Sequence, residues 1–151
     1  MLRHTVATLA YRAGKVLRDA PNGFGEFRPE AGSRSAAEIL AHMGDLMDWA
    51  VSIAQGQQAW KDSPPLQWDA EVDRFFAGLA RFDASVAAMD PSDPLGARLF
   101  QGPVADALTH VGQLAMMRRM AGAPIRGENY FKADITAGRV GSDQSAPKRE
   151  F

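Results

Sequence analysis

The feature that most constrains this chain is a pattern repeated four times: apolar residues recur at three- and four-residue spacing between clusters of proline and glycine. Such spacing gathers apolar side chains on one face of an α-helix, whereas a half-buried strand would alternate every second residue. From Leu2 to about Asp19, Val6, Leu9, Ala10, Ala13, Val16 and Leu17 form one stripe, stopped by Pro21, Asn22 and Gly23. The glycine-rich stretch from Asn22 to Arg34, with Phe24 and Phe27, reads as a structured loop. Ser35 followed by Glu38 has the form of a capping box, in which hydroxyl and carboxylate satisfy free helix N–H groups reciprocally. A second helix is therefore predicted there, with Ile39, Leu40, Met43, Leu46, Met47, Ala50, Ile53 and Ala54 as its stripe and Gly56 as its stop.

Pro64 and Pro65 mark a connection. Asp69 then suits the cap of a third helix, whose Val72, Phe75, Phe76, Leu79, Phe82, Val86 and Met89 face a core, with Pro91 and Pro94 beyond its end. Gly102-Pro103 fits the start of a fourth, because proline is tolerated in a first helical turn. Val104, Leu108, Val111, Leu114 and Ala115 carry that helix towards Gly122. Four such helices predict an all-α, antiparallel four-helix bundle over about residues 2–122, within a single domain spanning 1–151. The tail, about 123–151, loses the periodicity, yet Ile125, Tyr130, Phe131, Ile135 and Val140 suit packing on the bundle.

The charge balance excludes one class of partner. With 17 basic and 18 acidic residues spread along the chain, no basic stripe exists for a phosphate backbone, so nucleic acid is not expected. No run of about 20 apolar residues is present to cross a bilayer, and the N-terminal stretch lacks a secretory pattern, which predicts a soluble, cytoplasmic protein. There is no cysteine. Thiolate metal ligation and a thiol nucleophile borne by the protein are thereby excluded, and any sulfur chemistry must use a substrate's sulfur.

The residues with chemical potential are His42, Asp106 and His110. Asp106 and His110 stand one helical turn apart, about 5–6 Å between Cβ atoms, so both can address one point. His42 falls in line with Ile39, Leu46, Trp49 and Ile53 on the second helix. Where these faces meet, two imidazoles and a carboxylate could hold a divalent ion with positions left open. The same residues could simply hydrogen-bond one another, and spacing alone leaves both readings open. Gln113, a turn beyond the pair, could orient a ligand or pack as an ordinary amide. Asp45 could accept a bond behind His42, act as a base, or face solvent. Trp49, Met117 and Met120 could line an apolar pocket or belong to the core. His4 is expected at the surface, and Arg118-Arg119 to complement a helix C-terminus. Glu128, Asn129, Tyr130 and Lys132 would lie over the site if the tail closes that end of the bundle. Gly138-Arg139-Val140-Gly141 lacks the setting of a phosphate loop.

The helix order, the segment Glu38-Ile39-Leu40-Ala41-His42-Met43-Gly44-Asp45 and the segment His110-Val111-Gly112-Gln113 together resemble the DinB-like family of metalloenzymes, over about residues 2–122. The resemblance implies a divalent metal held by one histidine of the second helix and a His-x-x-x-His pair of the fourth. His42 and His110 match two of these positions, and Asp106 takes the third. In this it is similar to the mycothiol-dependent maleylpyruvate isomerase branch, which carries a carboxylate four residues before its fourth-helix histidine. Aspartate is one methylene shorter than that glutamate, leaving direct ligation and ligation through water both open. The resemblance further implies a small-molecule substrate, a thiol-dependent transferase using a low-molecular-weight thiol or a metal-assisted hydrolase, and a homodimer. The ligand set accepts Zn, Ni, Fe or Mn. The contrasting reading is a helical ligand-binding or dimerisation module without catalysis.

Overall fold

The computed structural model describes every residue from 1 to 151 and is all-helical. Its elements are α1 (Leu2–Leu17), α2 (Ala36–Ala54), α3 (Trp68–Ala88), α4 (Leu95–Leu99) and α5 (Ala105–Met120). A π-helical turn, Phe100–Val104, joins α4 to α5 without a break, so these three pieces form the fourth rod of the bundle. The stripes anticipated from periodicity converge on one core. Val6, Leu9, Leu40, Met43, Met47, Phe75, Leu79, Phe82 and Leu114 are all fully buried, and Leu99, which belongs to no predicted stripe, joins them.

Ser35 caps α2 as its sequence implies: its side chain accepts from the Glu38 N–H at 3.2 Å while the Glu38 carboxylate accepts from the Ser35 N–H at 2.7 Å. Two other helix starts differ from expectation. The third helix begins at Trp68 behind Gln67, without a side-chain cap, so Asp69 lies inside its first turn. Gly102-Pro103 does not open a helix but sits within the π turn. Proline lacks the N–H that a regular α-turn would require, and a widened turn absorbs that loss without ending the rod.

Antiparallel packing holds for the pair that carries the candidate site, since Trp49 lies beside Gly102 while His42 lies beside Asp106 and His110. It also holds for α1 against α3, because Arg3 meets Asp83 and Gly14 meets Phe76. Helices α2 and α3 instead run in the same direction. Gly25 touches Ala37 and Trp68 together, at the starts of both helices. Further along, Gly44 faces Glu71 and Arg74, Met47 faces Gly78, and Asp48 pairs with Arg81. The cause is the link from Gln55 to Gln67. At a rise of 1.5 Å per residue α2 is about 28 Å long, and an extended link, at about 3.3 Å per residue, is long enough to return along it.

The tail packs on the bundle, with Val140 in the core and Ile125 and Ile135 against it. Tyr130 stands edge-on to Tyr11 at 6.3 Å, under the guanidinium of Arg12. The buried Glu128 accepts from the Tyr11 hydroxyl at 2.7 Å and from Lys15 Nζ at 2.9 Å. These contacts lie on α1, so Glu128 and Tyr130 do not fold over the candidate site. Phe131 stays exposed instead of packing.

Arg118 is buried and donates to the carbonyls of Val16, Arg18, Asp19 and Ala123. It thereby satisfies carbonyls that the end of α1 leaves without intrahelical partners. No helix is long and apolar enough to cross a membrane.

Candidate metal centre

The antiparallel crossing of α2 and α5 brings His42, Asp106 and His110 together, with one potential ligand atom from each lying within 4.8 Å of the others. Asp106 bridges the two imidazoles. Its Oδ2 is 3.6 Å from His42 Nε2 and its Oδ1 is 3.3 Å from His110 Nε2. A tetrahedral ion with bonds of about 2.0–2.2 Å holds its ligand atoms roughly 3.3–3.6 Å apart; each Asp–His approach falls in that range through a different carboxylate oxygen, while separations in the group reach 4.8 Å, so an ion would draw the three donors closer together. The imidazole planes are nearly perpendicular, 86° apart, with centroids 4.9 Å apart.

The histidine side chains are largely covered, at 19% exposed for His42 and 12% for His110, whereas Asp106 is 48% exposed. The group therefore has a closed side made by two imidazoles and an open side at the carboxylate. Burial pushes the His42 pKa below its ordinary value, aided by the nearby His110 and Arg34 and opposed by Asp106. The result favours the neutral imidazole, the form with a lone pair to offer.

Gln113 stands where its spacing implied. Its Oε1 is 2.8 Å from His110 Nδ1, and because an amide oxygen only accepts, Nδ1 carries the proton. In the neutral ring this leaves His110 Nε2 as the electron-pair donor, facing Asp106. A bond of this kind fixes the tautomer and ring orientation of a metal-binding histidine.

Asp45 differs from the expectation. It is buried, neither solvated nor turned to His42, and it accepts from Arg74 and from the Ser63 N–H. The parallel run of α2 and α3 creates this arrangement by placing Arg74 between Asp45 and Glu71. Burial alone lowers an arginine's pKa, but here the paired carboxylates raise that of Arg74.

Three clefts surround the centre. One of about 430 Å³ is lined by His42, Leu46, Trp49, Gln58, Trp60 and Asp106. A second, about 420 Å³, runs past His110 and Gln113 to Met116, Met117 and Met120. Met117 is also a core residue, whereas Met120 is half exposed. The third, a polar cleft of about 330 Å³, includes His42, Asp62, Ser63 and Arg34. Arg34 lines both the polar and the methionine clefts. His4, on the exposed surface of α1, takes no part.

Sequence periodicity misses Trp60 altogether. It lies in the link between α2 and α3, with its ring 5.6 Å from that of His42 and 5.8 Å from that of Trp49. Only the aromatic character of an otherwise polar stretch hinted at it.

Comparison with protein-family models, curated proteins and solved structures finds no match to this chain.

Proposed function

We propose that the protein is a divalent-metal-dependent enzyme acting on a small molecule, with His42, Asp106 and His110 holding the ion. The observation that carries this reading is the convergence of the three donors across two helices far apart in sequence. The His110 tautomer set by Gln113 and the open face at Asp106 support it. The likeness of these segments to the DinB-like family points the same way.

A bound ion would supply Lewis acidity, lowering the pKa of a water or thiol and stabilising developing negative charge. The chain's own residues define the surroundings of that chemistry. The two imidazoles shield one side from solvent. Asp106 adds a negative charge on the accessible side, and the adjoining clefts admit a ligand of small-molecule size. Because the chain has no cysteine, a thiol-dependent transfer would take its thiolate from a low-molecular-weight thiol, whereas hydrolysis would use water.

The test is metal analysis of untagged protein with and without divalent titration, repeated on a folded His110→Ala variant. About one ion per chain, lost in the variant, supports the centre. A parent that stays metal-free throughout refutes it and leaves a helical binding module. In cobalt-substituted protein, absorption bands that change on adding a thiol favour transfer, and bands that respond to no thiol leave hydrolysis or non-catalytic binding.

A further inference from the structure

Trp60 is a large apolar side chain that remains 43% exposed on a link with no helix or strand, yet the link is held at several points. Ser52 Oγ accepts from the Ala59 N–H at 3.0 Å. The Trp60 indole N–H donates to Asp62 at 3.2 Å. Two buried carboxylates anchor the remainder: Asp45 accepts from the Ser63 N–H at 2.9 Å, and Glu71 from the Leu66 N–H at 2.9 Å. Arg74 pairs with both carboxylates and also donates to Ser63 Oγ. At Gln58 the backbone enters the left-handed region, φ 31°, just before Trp60. Ordered backbone at a tip that buries little apolar surface needs such tethers.

The tethers place one indole against the other. Trp49 and Trp60 are perpendicular, 89° apart, and Trp49 is backed by Gly102, where a Cβ would stand 3.7 Å from the ring. The cleft that both line also has His42 and Asp106 in its wall. An aromatic corner beside a metal-binding carboxylate offers faces and edges to a flat ring, the arrangement aromatic pairs prefer.

The geometry points to this corner as the subsite for the body of the substrate, a planar aromatic group, with Trp60 as its specificity-determining residue. The inference rests on the proposed metal centre, which would hold the reacting end of the same molecule.

Two hydroxamates with the same chelating group but different bodies test it. Zinc-loaded protein is titrated with acetohydroxamate and with benzohydroxamate, and the ion content is measured on the same samples. The phenyl compound is expected to bind at least tenfold more tightly. In the ion-loaded fraction of Trp60→Ala that ratio falls to within twofold, whatever the change in acetohydroxamate affinity itself, and Trp60→Phe restores part of it. A ratio near one in the parent, or one that survives in Trp60→Ala, overturns the inference.

If the protein holds no ion, the metal reading fails by itself, and the subsite is read in metal-free protein. Benzyl alcohol should then shift the indole N–H resonances of Trp49 and Trp60 and leave that of Trp68, packed on Phe24, in place. No shift at either tryptophan overturns the subsite as well.

Discussion

Removing Gln113 isolates the contribution of the bond that orients His110. Loss of a hydrogen-bond partner behind a metal-binding histidine typically lowers metal affinity about 10–100-fold. Two structural facts choose within that range. The bond is short, at 2.8 Å, but Gln113 is exposed, so water can replace the lost acceptor in part. The expected loss in Gln113→Ala is therefore about tenfold, or about 1.4 kcal/mol. Folding stability should move by no more than about 0.5 kcal/mol, because the position is a helical surface site and alanine is a good helix former.

Gln113→Glu runs in the opposite direction. A carboxylate accepts a stronger, charge-assisted bond from Nδ1–H and makes His110 a better donor. Its zinc affinity should equal or exceed that of the parent. Competition against a chromophoric chelator at fixed pH measures all three proteins, with denaturant unfolding as the stability control. An alanine variant within twofold of the parent, or a glutamate variant weaker than the alanine one, would refute the role assigned to Gln113.

Glycines give a paired test of the packing. At Gly78 a Cβ would stand 3.0 Å from Met47 Cβ, an atom no rotamer change can move; overpacking of about 1–3 kcal/mol should exceed a helix-propensity gain of about 1 kcal/mol, so Gly78→Ala should lower the denaturant midpoint. Gly112 has nothing within 4 Å of that position, and Gly112→Ala should stabilise the fold by about 0.5–1 kcal/mol and so raise the midpoint; a rise in both variants would contradict the close approach of α2 and α3. Glu38 supplies a pH test: its bonds to Arg28 and the Ser35 N–H depress its pKa from 4.5 to about 2. The stability it contributes is present above its ordinary pKa and is lost as pH falls between about 4.5 and about 2, so Glu38→Gln should flatten that part of the acid-unfolding curve, and a Glu38 carboxyl titrating near its ordinary value by NMR would count against the capping arrangement.

The parts of the molecule legible in the sequence are those governed by local pattern. The Ser35–Glu38 box fixes where α2 begins and hence the face on which His42 lies. The four-residue spacing of Asp106 and His110 places them together whatever surrounds them. Their meeting with His42 required only that α2 and α5 cross antiparallel. What escaped depends on longer-range geometry. Pro103 looks alike in a first turn and in a π turn, because both lack a regular hydrogen bond at that point. The direction of α3 is set by how far an aperiodic link extends, and no stripe of apolar residues encodes that. Asp45 reads as a solvated helix carboxylate because its partner, Arg74, comes from a helix that an antiparallel arrangement would run the opposite way beside α2. Trp60 has no periodicity to place it, and its position follows from carboxylates contributed by two other helices.

The π turn at Phe100–Val104 acts as a phase shifter between two parts of one rod. A regular α-helix advances about 100° per residue, so sequence spacing alone would dictate the angle between Leu99 and the Asp106–His110 pair. By taking in an extra residue, the widened turn uncouples them: Leu99 is sunk in the core while Asp106 keeps its carboxylate in reach of His42. Shortening the turn by one residue would force a choice between seating that leucine and aiming that aspartate. The proline that looks like an interruption thus marks the joint at which the buried scaffold and the face carrying Asp106 and His110 take different phases.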